Sequence, residues 1–199
     1  EGHKIPAEQL IAFLAKYLKD EGKYRGNAVV STIISNTAME RYIRNLGFEY
    51  YSTKVGERAI IAKMQELGCS VGGEESGHMV VADYSKSGDG MVNALLVCLA
   101  WAASGKKMSE IFPLFKFDPY VFVSVPLKDR AMVAEAAASE KVKAAVSEAE
   151  NIMSGKGRVV LHPSGTEPKL RVWVSGSDET LVKKSADMII AEINKLQEE

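Results

Sequence analysis

Apolar residues recur at three- and four-residue intervals through "PAEQLIAFLAKYLKDEG" (6–22), behind a proline suited to a first helical turn and ahead of a glycine suited to a stop. That spacing predicts a helix. "NAVVSTIIS" (27–35) is short and β-branched, "NTAMERYIRNLG" (36–47) runs from an asparagine cap to a glycine, and "FEYYSTKV" (48–55) is extended again. Strand, helix, strand follows. "GERAIIAKMQELG" (56–68) repeats the helical spacing, while "CSVGG" (69–73) and "HMVVADY" (78–84) read as strands around a polar bend. "GDGMVNALLVCLAWAASG" (88–105) is apolar on every side, which predicts a buried helix. Alternation of this kind points to an α/β layer on a largely parallel or mixed sheet.

The pattern changes where Pro113, Pro119 and Pro126 fall close together. Beyond them come a strand (120–125), one long Ala-rich helix (131–153), two strands (157–162 and 169–175) and a terminal helix (178–197). This predicts a boundary near 113–118, between a first domain over 1–113 and a small second one over 119–199 with an antiparallel sheet and helices on one face.

Composition narrows the function classes. The 199 residues carry 25 Lys plus Arg against 26 Asp plus Glu, so no global field draws nucleic acid or an acidic membrane face, and neither is expected as a partner. "ALLVCLAWAA" (94–103) is about half the length of a membrane span, and no signal-peptide pattern opens the sequence, so a soluble, cytoplasmic protein is expected. Cys69 and Cys98 lack CxxC spacing and both read as core residues. His3, His78 and His162 have no ligand spacing, so no metal is expected in this chain. The first residue is Glu, not Met, which suggests a piece of something longer.

Two polar stretches carry the candidate chemistry. "LHPSGTEPKLR" (161–171) interrupts two strand-like runs with a Ser164, Gly165, Thr166 turn. Gly165 would let the backbone curl so that successive amides and hydroxyls converge on one anion, and Arg171 on the next strand could add the charge. The second is "VGGEESGHMV" (71–80), more polar than a tight hairpin requires. Glu74 and Glu75 should point to opposite sides, leaving one beside Ser76 to grip vicinal hydroxyls or an ammonium, and His78 could move a proton.

"GGEESGH" followed some ninety residues later by "PSGTEPKLR", with "TKVGERAI" (53–60) and "SGDGMVNAL" (87–95) nearby, resembles the α-D-phosphohexomutases along essentially the whole chain. The resemblance implies the last two of that family's four domains: a three-layer α/β/α sugar-recognition domain with a mixed sheet, then a small α+β phosphate-clamping domain. Substrate contacts would come from Glu74, Glu75, Ser76, Gly77, His78, Lys54 and Arg58, with His78 either an acid/base or a hydroxyl ligand. Phosphate contacts would come from Ser164, Gly165, Thr166, Glu167, Arg171 and His162, the last standing where the family commonly has Arg. The family's phosphoserine loop and Mg-binding DGDxDR loop have no counterpart in the sequence, so Mg would be held by a missing N-terminal domain. "VGER" is closest to members that interconvert glucosamine 6-phosphate and 1-phosphate through a bisphosphorylated intermediate; the alternatives are mannose or glucose phosphates, or a free-standing phosphosugar-binding module. The fragment alone would be inactive.

Overall fold

The computed structural model describes residues 2–197, which form two compact units divided between Phe117 and Asp118. The first contains α1 (Ala7–Asp20), β1 (Ala28–Thr32), α2 (Thr37–Asn45), β2 (Glu49–Thr53), α3 (Glu57–Leu67), β3 (Val71–Gly73), β4 (Met79–Val81), α4 (Gly90–Ser104) and the short α5 (Met108–Ile111). Strand order is β2-β1-β3-β4, with β1 parallel to both β2 and β3 and β4 antiparallel to β3. Every residue of β1 is buried, as a central strand covered on both faces requires. On one face Val29, Tyr50 and Val71 pack with Ile11 and Leu14 of α1, Met39 and Ile43 of α2, and Leu96 and Ala100 of α4. On the other, Val30 and Val80 pack with Ile60 and Met64 of α3. The sandwich is therefore three layers, α/β/α, on a mixed sheet.

Local chemistry sets the ends of these elements. Asn36 caps α2 by accepting from the Ala38 amide, and Asp89 caps α4 by accepting from the Met91 and Val92 amides. Gly68 ends α3 in the left-handed conformation at φ 61°. The chain then continues past α5, and residues 114–115 return to α1: Gln9 donates to the Phe115 carbonyl at 2.8 Å and accepts from the Leu114 amide at 2.7 Å.

The second unit contains β5 (Tyr120–Pro126), α6 (Arg130–Ala138), α7 (Glu140–Met153), β6 (Gly157–Pro163), β7 (Lys169–Gly176) and α8 (Glu179–Lys195). Its antiparallel sheet has the order β5-β7-β6. Leu170, Val172 and Val174 alternate toward the helices, packing with Val142, Ala149, Ile189 and Ile193. Arg171, Trp173 and Ser175 take the opposite face, level with Ser124, Phe122 and Tyr120 on β5 and with His162, Val160 and Arg158 on β6.

Three sequence expectations are corrected. The single helix over 131–153 is two, because Ser139 is extended at ψ 130°. At about 100° per residue, a continuous helix would put the buried Val133 and Ala136 on the side opposite the buried Val142, Ala145, Ala149 and Met153. The break brings both stripes onto one sheet. The helix over 88–105 is not buried all round: Asn93, Leu96 and Ala100 face inward while Met91, Leu95 and Leu99 are exposed. Cys69 is a core residue, and the burial of its thiol raises its pKa to about 11, but Cys98 is exposed on the outer side of α4.

Candidate functional site

In the first unit, the polar loops gather at the carboxyl ends of β1, β2 and β3. The chain runs from β1 outward to β2 and then crosses back past β1 to β3, so the strand order reverses beside β1, the kind of switch point at which open α/β sheets hold ligands. Thr32 ends β1 there and donates from its hydroxyl to Glu75 Oε2 at 3.1 Å. Ser31 donates to the Gly73 carbonyl at 2.7 Å, and its hydroxyl lies 2.7 Å from that of Ser35.

The 74–78 loop closes on itself. The Glu74 amide donates to the His78 carbonyl at 2.9 Å, and the Gly77 amide donates to the Glu74 carbonyl at 3.1 Å. The turn needs φ 112° at Gly77, a region open to glycine but not to a residue with Cβ. The two carboxylates have separate tasks. Glu74, only 6% exposed, accepts from the Gly56 amide at 3.2 Å and holds His78 Nδ1 at 3.1 Å from its other oxygen. It ties the 74–78 loop to the 54–58 segment. Ser76 Oγ also lies 3.1 Å from His78 Nδ1, so the imidazole is oriented from one side and its Nε2 has no partner among the described residues. Ser76, Gly77 and His78 are exposed, as are Lys54 and Arg58 on either side of Gly56. Glu57 accepts from the Gly88 amide at 2.8 Å, which fastens the loop before α4 to the same cluster.

Burial raises the pKa of Glu75, the Thr32 hydroxyl bond partly opposes this, and the charge of Glu74 adds to it. Burial likewise raises that of Glu8 on α1, which accepts from the Asn36 amide at 2.9 Å and feels the charge of Glu75. Thr32, Ser31 and Glu8 escaped the sequence reading because nothing in a β-branched strand or an amphipathic helix marks the residue that will meet a distant loop.

In the second unit, the 164–169 loop joins β6 to β7. The Ser164 amide donates to the Lys169 carbonyl at 2.9 Å, the Ser164 hydroxyl accepts from the Glu167 amide at 3.3 Å, and the Lys169 amide donates to the Glu167 carbonyl at 2.8 Å. The amides of Gly165 and Thr166 have no protein partner among the described residues. Arg130 of α6, not anticipated from sequence, donates to the Gly165 and Thr166 carbonyls at 3.3 Å each. Its guanidinium holds the carbonyl side of the turn, and the amide side carries no protein partner among the described residues. A pocket of about 230 Å³ lies here, lined by Arg130, Val133, Ala134, Pro163, Ser164, Gly165 and Glu167.

Arg171 and His162 face each other across β7 and β6. Arg171 Nε is buried and has no hydrogen-bond acceptor among the described residues. Glu167 is bonded to Lys169 at 2.7 Å, which lowers its pKa. Gly165 plays a different part from the expected one. Its φ is not in the left-handed region, so the curl does not depend on glycine, and a Cβ there would meet nothing within 4 Å. What the missing side chain provides is open space beside the free amides.

Among the described residues, no three His, Cys, Asp or Glu side chains gather as metal ligands, and Asp89 of "SGDG" spends its carboxylate on the α4 cap. No helix among the described residues is long and apolar enough to cross a membrane.

Two family profiles match the sequence: Phosphoglucomutase/phosphomannomutase, alpha/beta/alpha domain III, over residues 6–116, and Phosphoglucomutase/phosphomannomutase, C-terminal domain, over residues 123–192. The phosphoglucosamine mutase of Paramagnetospirillum magneticum is 39% identical over 98% of this chain, which spans 43% of that relative's length. That of Bacillus subtilis is 35% identical over 96% of the chain and 42% of its own length. The chain thus spans less than half of the curated relatives it matches. Among solved structures, an N-acetylphosphoglucosamine mutase from Aspergillus fumigatus superimposes with a TM-score of 0.81 at 18% identity, over 96% of this chain and 44% of that one. This last likeness is one of fold.

Proposed function

Since the chain belongs to the phosphoglucomutase/phosphomannomutase family, in which it matches domain III and the C-terminal domain, we propose that it is the sugar- and phosphate-binding part of a phosphoglucosamine mutase. The whole enzyme would interconvert glucosamine 6-phosphate and glucosamine 1-phosphate through a bisphosphorylated sugar. Residues 1–113 would recognise the sugar and 119–199 would clamp the phosphate. One observation carries the reading: the two loops present complementary donor sets. The 74–78 loop offers an exposed hydroxyl and an imidazole braced by the buried Glu74 carboxylate, and the 164–171 segment offers two unpartnered amides and a buried, unpartnered guanidinium nitrogen.

Ser164, Gly165, Thr166 and Arg171, with His162 and Glu167 beside them, would hold the phosphate that is not reacting. Ser76 and His78, with Lys54 and Arg58, would touch the sugar. Glu75 lies beside them on Thr32, and Glu74 fixes the orientation of His78. Binding contacts of this kind would orient the substrate without any chemistry in these units, the entropic part of the catalysis. The phosphoserine and the magnesium site belong, on this reading, to the polypeptide upstream, and magnesium there supplies charge neutralisation for phosphoryl transfer.

The test is kinetic. The full-length polypeptide, assayed on glucosamine, mannose and glucose phosphates, should give its highest kcat/KM on glucosamine phosphate, and the 199-residue chain should bind the sugar phosphate without turnover. A preference for mannose or glucose phosphate would reassign the substrate, and turnover by the short chain would overturn the division of labour.

A further inference from the structure

We infer that the outer face of α4 is the docking surface for the domain immediately upstream of this chain in the full-length polypeptide, an inference that rests on the reading of the chain as part of a longer mutase. α4 has no charged residue along its length. Its inner side buries Asn93, Leu96 and Ala100, yet Met91 is 79% exposed, Leu95 63%, Leu99 60% and Trp101 41%, with Ala94, Cys98 and Ala102 exposed among them. Spacings of three and four residues set these side chains on one continuous stripe. Single exposed apolar residues are ordinary, but a whole uncharged helix face marks an interaction surface, and of the permanent, apolar kind.

Its neighbour shows what a finished helix in this layer looks like. α1 packs beside α4 on the same face of the sheet, but the chain at 112–115 covers its outer side: Gln9 is bonded to Phe115 and Leu114, and the Phe13 and Phe112 rings stand 5.2 Å apart. α4 has no such cover among the described residues. The relatives are more than twice as long, and their matched part is domain III and the C-terminal domain. Any polypeptide preceding residue 1 arrives at the N-terminus of α1, in the layer that α4 shares. An upstream domain is thus held at high effective concentration beside this face, whereas a second copy would first have to lose its translational freedom.

Cys98 lies on the stripe and reports its exposure; Cys69 is buried and acts as the internal control. The experiment is iodoacetamide labelling read by the mass of the Cys98 peptide, in the 199-residue chain and in the full-length polypeptide from the same reading frame. Cys98 should react as an open thiol in the short chain and about tenfold more slowly in the full-length protein, independent of protein concentration. Leu95→Asp with Leu99→Asp should restore labelling in the full-length protein, and the same pair in the short chain, where both residues face water, should leave its melting temperature unchanged. Equal labelling of the two proteins, or protection that grows with concentration in the short chain, overturns the inference; the latter would assign the face to a second copy. A fully reactive Cys98 in a full-length enzyme that still turns over glucosamine phosphate would sink the docking surface alone, whereas a reading frame with no upstream domain would sink both proposals.

Discussion

Arg171 and His162 stand directly opposite each other on neighbouring strands, on the sheet face away from the helices. Partial burial, and after it the Arg171 charge, hold the His162 imidazole below its ordinary pKa. The pair therefore carries one positive charge near neutral pH, where two arginines would carry two.

Replacing His162 should expose this balance. Between the lowered folded value and the unfolded one of about 6.5, the unfolded chain binds more protons than the folded one, so stability rises with pH through that window. His162→Gln should flatten this slope in thermal melts between pH 5 and neutrality, and an unchanged slope would mean that the strain lies elsewhere. His162→Arg should instead tighten phosphosugar binding by about 1 kcal/mol at pH 8, the scale of one charge-assisted hydrogen bond, and lower the melting temperature at low salt.

Arg171→Ala should weaken phosphosugar binding by roughly 1.5–3 kcal/mol, the range for hydrogen bonds to a charged group. Titration calorimetry on the 199-residue chain would measure it, and an unchanged dissociation constant removes Arg171 from the site.

Two glycines should separate fold from ligand binding. A Cβ on Gly73 would come within 2.7 Å of the His78 carbonyl oxygen and 2.8 Å of Ile11 Cδ1, so Gly73→Ala should cost about 1–3 kcal/mol of stability and displace the 74–78 loop. A Cβ on Gly165 meets nothing within 4 Å. Gly165→Ala should leave stability within about 0.5 kcal/mol yet weaken phosphate binding, because the methyl group fills ligand space. Denaturant melts paired with phosphosugar titrations check both, and a destabilised Gly165→Ala protein would contradict the open-space reading.

Glu8 gives a pH signature of opposite sign. Its raised folded pKa means that the folded chain holds the proton more tightly, so stability is greatest at acidic pH and falls as pH rises from the unfolded value through the folded one. Glu8→Gln keeps an oxygen for the Asn36 amide and removes the buried charge. It should raise the melting temperature at pH 7.5 and leave it unchanged at pH 4; a loss of stability at pH 7.5 would show that the charged bond to Asn36 outweighs burial.

Much of this protein was legible in one dimension because it depends on neighbours in sequence. The period-two pattern of Leu170, Val172 and Val174 places Arg171 on the opposite face of its strand, and the spacing in 6–22 makes α1. The helix break at Ser139 was legible too, in the phase jump between Ala136 and Val142, although Ala-rich composition masked it. Both loops were marked by their own residues, since "GGEESGH" and "PSGTEP" combine turn formers with polar groups that a mere turn does not need.

What only the tertiary structure decided is which distant groups meet those loops. Glu74 holds Gly56, Thr32 reaches Glu75, Glu8 bonds Asn36, and Arg130 holds the carbonyls of Gly165 and Thr166. Each pairing spans an α/β crossover or a sheet edge, and the hydrogen bond exists only because strand order and helix placement bring its ends together. The same is true of α4. Its sequence is apolar all round, and hydrophobicity states how strongly a surface avoids water but carries no direction, so packing against one sheet chose which side was buried and left Met91, Leu95 and Leu99 outside.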